Sequence, residues 1–181
     1  MSDEKVLRSC MSLVTQLSPA FVLGCEFKVI GGSIEVEKDF VKAARCRISF
    51  VVPREQGNSG GALFGGSVSA ITDILTTGLL FASEAKAKKQ VSFTVSTVLN
   101  VDFIAAARIG DEVIIDLNVD KFGKTLAFTS ADFYSMKAGQ PDKVLYRARH
   151  QKAIQNMRLH RSVLPKTIQH HWDAIFPVSR L

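Results

Sequence analysis

The sequence predicts an α+β fold, an antiparallel β-sheet wrapped around one long central helix. Three observations predict it. From Gln56 to Ser83 there is no Lys, Arg or Glu, and Asp73 is the single charge. Within that stretch Val68, Ile71, Leu75, Leu79 and Ala82 recur at helical spacing. On either side lie runs that alternate with a period of two, joined by short turn-forming segments, and strands joined by hairpins are antiparallel. A helix without a charged face is buried all round, so the sheet must curl about it.

The elements follow in order. Residues 2 to 17 read as a short amphipathic helix, with Ser2 as its cap and Asp3 and Glu4 in its first turn. Residues 21 to 52 hold strand-like runs, of which "CRISFVV" is the clearest, and the Gly31-Gly32 pair reads as the hairpin turn before it. A glycine-rich loop, Gly57 to Gly61, leads into a helix expected from about Gly65 to Ala82. Val91, Phe93, Val95, Thr97, Leu99, Val101 and Phe103 then alternate with Ser92, Thr94, Ser96, Val98, Asn100 and Asp102. Residues 112 to 120 form the next strand, "KFGK" turns the chain into 125 to 134, and "KAGQPDK" turns it into 143 to 153. The expected domain spans residues 1 to 154, and residues 155 to 181 read as a separate tail without a clear hydrophobic period.

Composition narrows the function. The chain has 181 residues, 46% hydrophobic, enough for one domain with a substantial core. No run of 18 or more uninterrupted apolar residues appears, so no membrane insertion is expected. The acidic start "MSDEKVLRSC" does not read as a secretory signal. Three widely spaced cysteines, Cys10, Cys25 and Cys46, support neither a disulfide framework nor a zinc site, and no metal is expected. The net charge of +6 fits a solvated basic surface or a phosphorylated ligand, and no nucleic-acid motif accompanies it.

Asp73 stands on the second face of its helix, beside Ser69, Thr76 and Thr77. It reads either as a working carboxylate or as a buried one satisfied by Thr76, Thr77 or a backbone group, because an unpaired buried charge is costly. Asn58 reads as a functional amide or as a loop residue bonding its own backbone. Gly65 and Gly66 open the helix, where free N–H groups and the positive dipole end favour a developing anion. The same glycines also suit close helix–sheet packing.

"NSGGALFGGSVSAITD" resembles the active-site segment of hotdog-fold acyl-CoA thioesterases of the PaaI and thioesterase-superfamily-member-2 type. The family pattern of Asn, Gly, His-Gly-Gly and Asp falls here on Asn58, Gly61, Phe64-Gly65-Gly66 and Asp73. "VSTVLNVDFIAAARIGDEV" and "GKTLAFTSADF" resemble the strands that follow, and the likeness covers roughly residues 40 to 153. It implies hydrolysis of an acyl-CoA to a free acid and coenzyme A, with coenzyme A as part of the substrate and no separate cofactor. It further implies Asp73 as base or nucleophile, Gly65 N–H and the Asn58 amide as oxyanion donors, and Ser96 as the residue that places water. Gly61, Phe64 and Gly66 then line the substrate. Phe64 departs from the family histidine. The alternative expectation is therefore a weak or inactive acyl-CoA binding protein on the same fold.

A hotdog hydratase is disfavoured because all four histidines, His150, His160, His170 and His171, follow the helix. Lys86, Lys88, Lys89, Arg147 and Arg149 are the candidate contacts to the coenzyme A phosphates. Gly65 and Asp73 lie eight residues apart on one helix, roughly 12 Å along its axis, so one thioester carbon cannot reach both. A homodimer with two composite sites is expected; the resemblance implies the same dimer, and further implies pairing into a homotetramer. Ser179-Arg180-Leu181 is similar to the terminal address read by the peroxisomal import receptor. It predicts a peroxisome or related microbody such as the glycosome, with the cytoplasm as the alternative.

Overall fold

The computed structural model describes residues 2–88 and 90–176. Its elements are helix α1 (Asp3–Leu17), strands β1 (Lys28–Glu37) and β2 (Phe40–Val51), helix α2 (Gly65–Lys88), strands β3 (Ser92–Phe103), β4 (Glu112–Phe122), β5 (Leu126–Lys137) and β6 (Gln140–Arg158), and helix α3 (Gln169–Ile175). The six strands form one antiparallel sheet in the order β1-β2-β4-β5-β6-β3. This is the expected α+β hotdog architecture.

The central helix is longer than its apolar stripe predicts. Val68, Ile71, Leu75, Leu79 and Ala82 are all fully buried, and burial continues through Glu84, Ala85 and Ala87. The extension follows from "EAKAK", which is rich in strong helix formers. Glu84 is satisfied there, because it accepts from the backbone N–H and hydroxyl of Ser92 at 2.6 and 2.9 Å. By length and composition α2 is apolar enough to cross a bilayer, yet the apolar surface is mostly buried inside the protein. It is the core helix.

Helix α1 lies against α2 through Val6, Leu7, Cys10, Met11, Leu13 and Val14, all buried at helical spacing. Gly78 permits this approach, since a Cβ there would sit 2.7 Å from Met11 Sδ and 2.9 Å from Val14 Cγ2. Ser2 occupies the cap position through its carbonyl, which accepts from Val6 N–H, but its hydroxyl makes no capping bond. Asp3 serves the packing instead. Its carboxylate accepts from Ile34 N–H at 2.9 Å and pairs with Lys86, tying α1, β1 and α2 together.

Two expectations are corrected. Gly31 and Gly32 do not form a hairpin turn; they lie inside β1, beside a register shift between Val29 and Gly31. The turn is Lys38-Asp39, with Lys38 at φ 54°. Gly32 is needed for close approach, since a Cβ there would meet Leu7 Cδ1 at 2.5 Å and Arg45 O at 2.6 Å. The boundary at residue 155 also fails, because β6 runs on to Arg158. Leu159, Leu164, Ile168, Trp172 and Ile175 then return to the core, and α3 packs on α1. Residues 155–176 belong to the domain.

Candidate active site

The loop before α2 is built by Asn58. Its side-chain carbonyl accepts from the N–H groups of Gly60 (2.9 Å) and Ala62 (3.1 Å), so the loop-anchoring alternative is realised. This bonding uses Oδ1 alone and leaves the Nδ2 amide as a donor. Gly61, at φ 74°, lets the loop reverse. The chain then enters α2 at Phe64, whose carbonyl accepts the first helical bond from Val68 N–H at 3.1 Å. Gly65, Gly66 and Ser67 N–H therefore have no helical acceptor, which makes this helix end an anion site by construction.

Phe64 is 56% exposed, and its ring folds back over Gly66, where a Cβ would meet it at 2.5 Å. Gly65 faces the edge of the Phe103 ring, 3.3 Å from where a Cβ would sit. The mouth of the helix end is thus apolar, with the exposed rings of Phe64 and Phe103 against its two glycines.

Two turns further along α2, Asp73 meets a polar cluster. Its Oδ1 accepts from Lys152 Nζ at 2.6 Å and from Ser96 Oγ at 3.0 Å. Thr76 and Thr77 satisfy the Asp73 backbone carbonyl and not its carboxylate. The partner of the carboxylate is therefore Lys152 and not the threonines of the buried-carboxylate alternative. Ser96 is exposed on the polar face of β3, and from there its hydroxyl reaches Asp73 on α2. A register shift between Ser96 and Val98 locally re-aims β3, a common use of bulges near functional sites.

His150 and Lys152 are the residues that the sequence did not single out. Both are on β6, and they are only 2% and 3% exposed. His150 Nε2 lies 3.0 Å from Ser96 Oγ and 3.7 Å from Asp73 Oδ1, and its Nδ1 lies 2.8 Å from Thr76 Oγ1. A signal existed: Arg147 and Arg149 share the outer face of the strand, so Ala148, His150 and Lys152 must share the inner one.

The electrostatics follow from burial and pairing. Burial pushes the Asp73 carboxyl up. The hydrogen bond and charge of Lys152, with help from His150 and Ser96, more than offset this and hold it below the usual carboxylate range. Burial pushes the His150 imidazole down, the Lys152 charge adds to this, and Asp73 opposes it, leaving a value of about 4. His150 is neutral near pH 7. Burial also lowers Lys152, against the opposing pull of Asp73.

Beside this cluster is a pocket of about 360 Å³. Val14, Leu17 and Ser18 of the α1 end, Ile74, Thr77 and Phe81 of α2, and Thr94 and Val95 of β3 line it, with Asp73, Ser96 and Lys152 at its polar side. Thr94 Oγ1 is buried there and has no hydrogen-bond partner among the described residues.

The phosphate candidates lie elsewhere. Lys86 bonds Asp3 and the Ile34 carbonyl, and Lys88 reaches Glu84 and the Phe122 ring, both at the far end of α2 from Gly65. Arg147 and Arg149 approach Asp132 only at 3.9 and 3.6 Å and keep exposed guanidinium groups. Lys89, Ser179, Arg180 and Leu181 fall outside the described residues.

The family model described as "Thioesterase superfamily" matches residues 60–141, which carry α2, β3, β4 and β5 and end at the start of β6. Acyl-coenzyme A thioesterase 13 of Mus musculus is 32% identical over 138 residues, covering 75% of this chain and 93% of that protein. The chain belongs to the thioesterase superfamily. The crystal structure of thioesterase superfamily member 2 from Mus musculus superposes with a TM-score of 0.65 at 24% identity, covering 84% of this chain and 98% of that one. The PaaI protein of E. coli gives 0.64 at 12% identity, covering 88% and 100%. These two likenesses establish that this superfamily member has their fold, with Phe64, His150 and Lys152 set into it.

Proposed function

We propose that the protein is an acyl-CoA thioesterase, a hydrolase that converts an acyl-CoA to a free acid and coenzyme A. The observation that carries this reading is Asp73. It is an ionised carboxylate hydrogen-bonded to Ser96 at the wall of an apolar pocket of about 360 Å³. Such a pocket is within the range of small-ligand sites and suits an acyl group. Asp73 accepts a proton from the attacking water, and Ser96 orients that water. Gly65 N–H, with the Asn58 amide, stabilises the oxyanion formed on the thioester carbonyl. The intermediate collapses, the C–S bond breaks with its electron pair going to sulfur, and the thiolate takes up one proton. Gly61, Gly66 and Phe64 border the substrate at the helix mouth. The scheme requires no cofactor.

The Gly65 and Asp73 of one helix, roughly 12 Å apart along its axis, do not serve one carbon. A homodimer supplies each site with Gly65 from one copy and Asp73 from the other. The open edge of β3 supports this reading. Among the described residues the strand pairs with β6 alone, at the end of the sheet, and it exposes Val95, Val98 and Phe103. An uncovered apolar edge invites a second strand. Pairing of dimers gives a homotetramer. Arg147 and Arg149 are the cations proposed to meet the coenzyme A phosphates. The terminal Ser179-Arg180-Leu181 supports recognition by the peroxisomal import receptor and residence in a peroxisome or related microbody. Deleting Leu181 is expected to move a tagged protein to the cytosol, and unchanged punctate localisation would refute the assignment.

The test is thiol release from a panel of acyl-CoAs, short to long and aromatic, with wild type beside Asp73→Ala, and molar mass by light scattering. Turnover that vanishes in the variant is expected. A folded dimer that binds acyl-CoA without turnover would instead favour the binding-protein alternative marked by Phe64.

A further inference from the structure

We infer that His150, acting through the Ser96 hydroxyl, is the terminal proton acceptor of this site, an inference that rests on the thioesterase reading. Ser96 Oγ carries one proton and has two acceptors at the same distance, Asp73 Oδ1 and His150 Nε2, each at 3.0 Å. Lys152 Nζ approaches the same oxygen at 3.2 Å and donates to it. The hydroxyl is therefore a bridge between a carboxylate and an imidazole.

The tautomer is set from behind. The Thr76 hydroxyl donates to the Thr72 carbonyl at 2.7 Å, so its oxygen accepts from His150 Nδ1–H at 2.8 Å. That leaves the Nε2 lone pair directed at Ser96. The same logic of an orienting group behind the imidazole fixes the base in hydrolytic triads. The titratable groups facing the ring are Asp73 from α2 and Lys152 from β6; Thr76 and Ser96 complete its polar contacts.

The step balances. As water attacks the thioester carbon, its proton passes to Asp73. Asp73 delivers a proton to Ser96 Oγ while the Ser96 proton moves to Nε2. The resulting imidazolium sits 3.7 Å from the regenerated Asp73 carboxylate. The proton then returns by the same path to the thiolate, and the second water hydrogen leaves with the ionising acid. Lys152 faces both groups and its charge disfavours a proton on either, so it is the Ser96 bridge between them that carries the transfer. Phe64 cannot take part, having no titratable atom.

The experiment compares wild type, His150→Gln and His150→Ala in steady-state thiol release, with thermal unfolding as the control for folding. Glutamine keeps a donor and an acceptor but takes no proton. The expected result for both variants is a kcat lower by roughly 10²-fold with KM little changed. Added imidazoles are expected to restore His150→Ala activity, more so as their basicity rises. A His150→Gln enzyme with wild-type kcat would overturn the inference and leave the thioesterase reading intact. An inert wild type would overturn both. ¹⁵N NMR of the histidine ring gives a measure that does not depend on activity or on a variant at His150. A proton on Nδ1 with Nε2 bare near pH 7, and an Nε2 resonance that moves in Ser96→Ala, is expected. A proton on Nε2 in the resting enzyme would refute the assignment.

Discussion

Lys152 Nζ lies 2.6 Å from Asp73 Oδ1, and the lysine is 97% hidden from solvent while the aspartate side chain keeps 45% of its exposure. The ion pair is therefore asymmetric: a buried cation reaches out to a carboxylate that lines a pocket. Burying an ammonium is costly without a partner, so the pair holds Lys152 in place as much as it holds Asp73 ionised.

Lys152→Met tests that pair. It removes the cation and leaves Asp73 its Ser96 bond only. A stability loss on the order of 2 kcal/mol is expected, below the range for wholly buried pairs because Asp73 is half solvated. The Asp73 carboxyl is lowered in the folded protein, so its contribution is full above its unfolded value near 4 and is lost as pH falls through the folded value. Urea denaturation from pH 3 to 7 should show that acid loss in wild type and a weaker one in the variant. The acid limb of the kcat profile should move to higher pH as Asp73 becomes a stronger base.

His150 predicts a second acid effect at higher pH. Its folded value of about 4 lies below the ordinary 6.5, so the unfolded chain binds the extra proton first. Stability is full above pH 6.5 and falls as pH drops toward 4, by on the order of 3 kcal/mol. His150→Phe should flatten the stability curve across this window, and an unchanged slope would contradict the burial argument.

Gly65 can be tested by separating its N–H from its missing side chain. Proline is well suited to the first helical position, where its lost N–H has no helical acceptor. Gly65→Pro and Gly65→Ala both place a Cβ about 3.3 Å from the Phe103 ring, but only proline removes the donor. If this N–H holds the oxyanion, Gly65→Pro should lose roughly 10²–10³ in kcat while Gly65→Ala keeps most of it. Equal losses would assign the effect to crowding.

Leu17 lines the pocket from the end of α1 and is partly exposed, so enlarging it disturbs little packing. Leu17→Trp should shorten the pocket. The ratio of kcat/KM for long over short acyl-CoAs is expected to fall at least about tenfold, the scale set by a few apolar contacts. An unchanged ratio would place the acyl group elsewhere.

Much of the site was legible locally. A charge-free segment with an apolar stripe specifies a buried helix, and a lone carboxylate within it needs a partner. Asp73, the free helix end at Gly65 and the Asn58 loop all lie within sixteen positions of one another, where spacing alone constrains geometry. The Gly31-Gly32 pair shows the limit of such reasoning. Glycine marks a backbone that must come close or turn, and only the packing of Leu7 against β1 decides which.

The sequence by itself determined the class of the fold, the identity of the core helix and the position of its one charge, because these depend on periods of 3.6 and two residues read within short windows. The tertiary structure alone decided what that charge touches. Ser96 stands opposite Lys152 and Leu99 opposite His150 because β3 and β6 pair across more than fifty residues of chain, in a register shifted at Ser96. That register is fixed by packing the inner face of the sheet onto α2, a non-local balance that no local pattern encodes.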